Sequence, residues 1–130
     1  MLVVDASVLA AALVDDGADG DRSRARLSGL SLAAPELIAL EVSSVVRGLV
    51  RAGKIDQRRA ELALVDLHDL PIELASPRPL IARCWELRDN LTIYDAAYVA
   101  LAELLAVSLL TADARIAKAP GINCDVEVLS

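Results

Sequence analysis

Four acidic residues, Asp5, Glu41, Asp95 and Asp113, stand where a carboxylate can do more than keep a surface soluble. Asp5 directly follows the apolar run Leu2, Val3, Val4, and Asp113 follows a second apolar run, residues 106–110, by way of Thr111 and Ala112. Either one also suits the N-cap of the helix that comes next. Asp95 closes the run Thr92, Ile93, Tyr94, Asp95, which has capping-box spacing. Glu41 is different. Helical spacing puts it in line with Ile38, Val42, Val45 and Leu49, far from either helix end, so capping does not account for it.

A carboxylate turned toward a core must be paired with a cation, protonated or coordinated, because burying it alone costs on the order of several kcal/mol. An internal Arg is one candidate partner for Glu41. The other is a pocket shared with Asp5, Asp95 and Asp113. Four carboxylates within about 4 Å of one another repel by roughly 4 kcal/mol per adjacent pair at an effective dielectric near 20, so such a pocket calls for a cation. Oxygen donors with no accompanying His or Cys set suit Mg²⁺ or Mn²⁺ and not zinc.

The elements that must position these acids follow from the apolar pattern. Residues 2–4, 32–34, 70–74, 106–110 and 126–129 read as strands. Residues 7–14, 21–30, 35–52, 56–67, 92–104 and 114–118 read as helices, with another opening at Pro77 or Pro79 and running to residue 89. Residues 15–20 read as a loop. Strands alternating with helices predict an α/β fold: a parallel sheet covered on both faces, since parallel neighbours need a crossover and a helix supplies it. The carboxyl ends of the strands then share one edge, where ligands bind. Asp5 and Asp113 both fall there.

Length and composition set the bounds. The chain has 130 residues, 55% hydrophobic and 25% charged, which predicts a single domain over residues 1–130 and excludes disorder. The first basic residue is Arg22, so no positively charged leader region is expected, and no apolar run approaches the roughly 18 residues that span a bilayer. A cytoplasmic protein without a membrane association is the expectation. Cys84 and Cys124 lack zinc-site spacing and read as buried thiols. His68 suits a helix C-terminus, and Trp85, between Ile81, Ala82 and Leu87, reads as core.

The formal charge of −6 is unfavourable for binding nucleic acid, but setting the four acids aside takes it to −2. Positive charge is also concentrated. Arg47, Arg51, Lys54, Arg58 and Arg59 are opposed only by Asp56, and Arg22, Arg24 and Arg26 form a second group. Both groups are candidate phosphate contacts, against the plain alternative of a solvated helix surface.

Taken in order, four segments resemble the PIN-domain ribonucleases, specifically the VapC toxins of VapBC toxin-antitoxin modules. They are Val-Val-Asp5-Ala-Ser7, the helical Leu-Ile-Ala-Leu-Glu41-Val, the run from Asn90 through Thr92, Tyr94, Asp95 and Tyr98 to Glu103, and Leu-Leu-Thr111-Ala-Asp113-Ala-Arg115. The resemblance covers essentially the whole chain. It implies a PIN-like, five-stranded parallel sheet between helices and metal-dependent RNA cleavage. Asp5 and Asp95 are the implied Mg²⁺ or Mn²⁺ ligands, joined directly or through water by Glu41 and Asp113, while the Ser7 and Thr111 hydroxyls hold the carboxylates in place. It further implies a VapB-type antitoxin partner, an RNA substrate and a homodimer formed through helices, with the faces of residues 7–14 and 35–52 as candidate surfaces. Some relatives carry a further acid just after the position of Asp113, where this chain has Ala114 and Arg115.

Two other strand-then-Asp enzymes fit less well. A haloacid dehalogenase phosphatase needs a second Asp where this chain has Ser7, and a receiver domain needs an acidic pair where Asp5 stands alone. A non-catalytic module, in which the acids hold a structural ion or a basic partner, asks for the same residues as the nuclease.

Overall fold

The computed structural model describes residues 1–130. In chain order the elements are β1 (Leu2–Val4), α1 (Ala6–Val14), α2 (Ala18–Leu27), β2 (Leu32–Pro35), α3 (Ile38–Arg51), α4 (Gln57–Asp69), β3 (Ile72–Ala75), a 3₁₀ turn (Arg78–Leu80), α5 (Ile81–Glu86), α6 (Ile93–Leu105), β4 (Leu109–Thr111), α7 (Ala114–Ala117) and β5 (Val126–Val128). The five strands form one all-parallel sheet in the order β3-β2-β1-β4-β5. Leu2, Val3 and Val4 are all buried although alternate side chains point to opposite faces, so both faces of the sheet are covered. One cover is α1 packed with α2, α3 and α4; α6, joined by α5, lies against β1, β2 and β4.

The strand order reverses between β1 and β4. From β1 the chain winds out through β2 to β3, then returns to the other side of β1 for β4 and β5. Helices on the two sides of such a switch diverge and leave a crevice at the carboxyl edge. Val3 pairs with Leu109 and Val4 with Leu110, and the Asp5 amide donates to the Leu110 carbonyl at 3.1 Å, so the two chain segments leave the sheet side by side.

Several local expectations shift. The helix expected from Pro35 begins at Ile38, because Pro35 is still the last residue of β2, in register with Ala75. α2 begins at Ala18, inside the expected loop, with Asp19 and Asp21 in its first turn complementing the helix dipole. The buried stripe of α3 is Ile38, Val42 and Val46, whereas Val45 is exposed and Leu49 only partly buried. Trp85 is 61% exposed and lies under the Arg88 guanidinium, whose Cζ is 4.4 Å from the centroid of the indole ring; the short α5 turns the neighbouring Cys84 inward instead. Of the two cysteines, both free, only Cys84 is fully buried. His68 lies in the last turn of α4, as expected there, and its ring is 3.2 Å from Asp69. No helix is long and apolar enough to cross a membrane.

Candidate acidic site at the sheet edge

Asp5 caps α1 and is held by more donors than a cap requires. Its Oδ1 accepts from the Ser7 amide at 3.0 Å, the Ser7 hydroxyl at 2.5 Å and the Val8 amide at 3.3 Å, while Oδ2 accepts from the Thr111 hydroxyl. Thr111 is the last residue of β4 and fully buried. The Ser7 Oγ in turn accepts from the Ala112 amide at 3.1 Å. Two hydroxyls thus bridge the ends of β1 and β4 and fix the Asp5 carboxylate between them, the supporting role expected of Ser7 and Thr111.

Glu41 comes from α3, one position round from the buried stripe, so it borders the crevice and does not enter the core. No guanidinium meets it. Its Oε1 accepts from the hydroxyl of Tyr98 on α6 at 2.7 Å. Asp95 lies on the same helix, one turn before Tyr98, in the first turn capped by Thr92, whose Oγ1 accepts from the Asp95 amide at 3.0 Å. Thr92 and Asp95 therefore show half of the capping box: the hydroxyl caps the helix and the carboxylate is left for the crevice. Asp113 caps α7 and pairs with Arg115, whose Nη2 is 2.7 Å from Oδ2 and whose Nε is 3.0 Å from Oδ1.

All four carboxylates line one pocket of about 350 Å³, with Ser7, Ser44, Val45, Tyr98 and Ile116 among its walls. Burial first, and then the neighbouring acids Asp95 and Asp5, raise the proton affinity of Glu41 above that of an ordinary glutamate, against the opposing Tyr98 hydrogen bond. Burial, Asp113 and Asp5 likewise raise the Asp95 carboxyl, against the Thr92 hydrogen bond. Asp113 moves the other way, lowered chiefly by its hydrogen bond from Arg115. Tyr98, buried and facing acids, is pushed well above a free phenol.

The donor set fits a hard divalent ion: four carboxylates and three hydroxyls, no side-chain nitrogen or sulfur, and mutual repulsion that a cation relieves. The carboxylates share the pocket without gathering three about a single point, and Asp113 is turned to Arg115. Sequence reasoning missed Tyr98 and Arg115 as partners of the acids. The spacings that carry them are helical, Asp95 to Tyr98, and local, Asp113 to Arg115.

The basic candidates divide. Arg22, Arg24 and Arg26 are engaged by Asp19, Asp21 and Glu127. Arg59 donates to the Leu13 carbonyl at 2.8 Å and meets Asp16 at 3.3 Å. Arg47, Arg51, Lys54 and Arg58 are exposed and make no ion pair, and Lys54 lines a cleft between α1 and α3 that also contains Ser7 and Val45 of the acidic pocket.

Comparison with known proteins bears on this geometry. A family model described as PIN domain matches residues 2–122. The chain is 41% identical over 129 residues to Ribonuclease VapC1 of Mycobacterium tuberculosis, covering 98% of this chain and 96% of the relative. It is 36% identical to Ribonuclease VapC9 of the same species, covering 99% and 98%. Among solved structures, a toxin-antitoxin complex from Klebsiella pneumoniae superposes with a TM-score of 0.66 at 20% identity, covering 98% of this chain and 97% of that one, a likeness of fold.

Proposed function

Because the chain belongs to the PIN-domain family, we propose that it is an endoribonuclease toxin of the VapC type, hydrolysing RNA phosphodiester bonds at the acidic pocket beyond β1 and β4. The observation that carries this reading is the convergence of Asp5, Glu41, Asp95 and Asp113 on one pocket at the strand-order reversal. Relatives that share more than a third of the sequence over nearly its whole length bear the name ribonuclease.

In this proposal Asp5 and Asp95 hold Mg²⁺ or Mn²⁺, with Glu41 and Asp113 as further direct or water-mediated ligands. When bound, such an ion acidifies a water and offsets negative charge on the phosphate. Ser7 and Thr111 keep both oxygens of Asp5 oriented, so binding need not first order a free carboxylate. Glu41 and Asp95, whose proton affinities burial raises, are the two acids whose basicity suits taking the proton from an attacking water. The exposed Arg47, Arg51, Lys54 and Arg58 are proposed phosphate contacts along the approach to the site, with Arg59 behind them.

The proposed partners are a VapB-type antitoxin and a second copy of this chain. An antitoxin side chain such as Arg suits the pocket because it supplies the counter-charge that Asp5, Glu41 and Asp95 lack, Asp113 being paired with Arg115. For the homodimer, α3 is the proposed face of the two expected. α1 turns Val8, Leu9 and Ala10 into the core, whereas α3 leaves Leu40 exposed.

The test is RNA cleavage by the purified protein with Mg²⁺ or Mn²⁺ and again with EDTA. Chelator-sensitive cleavage that Asp5→Asn and Asp95→Asn each reduce by about 10²-fold or more is expected. Undiminished cleavage by either variant overturns the assignment, and RNA binding without cleavage returns the non-catalytic module.

A further inference from the structure

Beside the acidic pocket lies a second cleft, of about 380 Å³, which shares Asp95, Asp113 and Ile116 with it as a common wall. Its other sides are Arg88, Asn90 and Thr92 from the connection between α5 and α6, and Arg115 from α7. None of these four figured among the sequence-based phosphate contacts.

The donors in this cleft are only partly used. Arg115 lays one edge of its guanidinium on Asp113, through Nε and Nη2, and leaves Nη1 without a partner. Arg88 rests on the Trp85 ring and spends Nη1 on the Trp85 carbonyl at 2.7 Å, leaving its other nitrogens unpaired. The Asn90 amide donates to the Pro120 carbonyl at 3.3 Å with one hydrogen remaining, and the Thr92 hydroxyl accepts from the Asp95 amide with its own hydrogen unspent. Both guanidiniums are thus anchored on one side and open on the other, which lowers the entropy lost when they grip an anion. Three acids are among the lining: Asp95 and Asp113, on the wall shared with the acidic pocket, and Asp89, which is exposed.

We propose that this cleft is a subsite for an RNA backbone phosphate flanking the scissile bond, gripped by Arg115 and Arg88. The inference rests on the ribonuclease reading above and goes beyond it in naming where the strand continues. Arg115 stands against the shared wall: fixed by Asp113 on one edge, it presents the other edge to the phosphate and sets that phosphate at a defined place relative to the acids.

The experiment is binding of a short mixed-sequence single-stranded RNA, labelled with fluorescein and followed by anisotropy across a salt series in EDTA, so that affinity is read without turnover. Each phosphate contact to a single strand contributes about 0.7 to the slope of log affinity against log salt. Arg115→Gln and Arg88→Gln should each make the fall in affinity between about 50 and 200 mM salt about 2.6-fold shallower, and the double variant about sevenfold shallower. Arg115→Lys should retain the slope. Arg26→Gln, the same charge change at a guanidinium that lines neither pocket, should leave it unaltered. Wild-type binding with the same slope in Arg115→Gln and Arg88→Gln overturns the subsite and leaves the nuclease reading standing. A slope reduced equally by Arg26→Gln overturns it too, because net charge alone then sets the effect. Failure of the wild-type protein both to bind and to cleave RNA overturns the nuclease reading itself.

Discussion

The Tyr98 hydroxyl donates to Glu41 Oε1 at 2.7 Å, joining the first turn of α3, and not its middle as the expected start at Pro35 implied, to α6 across the mouth of the acidic pocket. The ring is buried and the carboxylate half-buried, so the bond aims a flexible glutamate from a rigid base. It also lowers the proton affinity of Glu41 against the rise caused by burial. Tyr98→Phe keeps the packing and removes the bond. Activity or Mn²⁺ affinity should fall about 10- to 100-fold, as for other groups that orient a ligand. The acid limb of the pH profile should move to higher pH, because Glu41 then holds its proton more tightly. A profile superimposable on wild type would deny Tyr98 this role.

Thr111→Val tests the clamp on Asp5. The substitution is close to isosteric at a fully buried position, yet it leaves Asp5 Oδ2 without its hydroxyl donor. A loss of about 1 to 3 kcal/mol in urea unfolding is expected, together with weakened cleavage. Ser7→Ala should cost less stability, since Ser7 is exposed and its amide still donates to Oδ1.

Acid sensitivity should concentrate at Glu103, outside the site. It accepts from Arg83 Nε at 2.7 Å, Arg83 Nη2 at 3.1 Å and the Asn123 amide at 2.6 Å, tying α5, α6 and the approach to β5 together. The Arg83 hydrogen bond is the chief cause of a folded-state pKa below the ordinary 4.5. A depressed folded value means that the stabilisation is present above the unfolded value and is lost as pH falls through the folded one. Glu103→Gln should therefore be less stable than wild type at pH 7, by about 1 to 2 kcal/mol for a partly exposed pair. The difference should shrink as the pH drops below the ordinary glutamate value. Parallel stability curves through that window would count against this account.

Leu40, 77% exposed on α3, tests the proposed homodimer. Leu40→Glu should convert a dimer seen by sedimentation into a monomer with little change in unfolding free energy, as its side chain lends almost nothing to the core. A dimer that survives the change places the interface elsewhere.

The parallel α/β class and the four acids were legible because both rest on coarse signals. An unbroken apolar run such as Leu2, Val3, Val4 means a strand buried on both faces, and an acid straight after it falls at the sheet edge. What was not legible depended on a single turn of helix. Glu41 was expected on the apolar stripe of α3 with Val45, but Val46 takes the buried place, and Glu41 and Val45 both line the pocket. A rotation of one residue decides between core and mouth, and the pattern of Ile38, Val42, Val45, Val46 and Leu49 admits either. Trp85 misled for a related reason: with Cys84 and Leu87 filling the inner side of α5, its large ring has no room inside. The grouping of Arg22, Arg24 and Arg26 counted charges without their local acids, Asp19 and Asp21, each three residues away from its Arg.

The adjacency of β1 and β4 has a consequence for how the protein is made. The Thr111 and Ala112 groups that hold the Asp5 and Ser7 side chains lie more than a hundred positions downstream of them. A growing polypeptide carries Asp5 out of the ribosome early, but the groove around it stays half-built until the segment from Leu109 to Asp113 has also emerged and docked. For a protein proposed to cleave RNA, the acidic pocket is therefore complete only once most of the chain has been made.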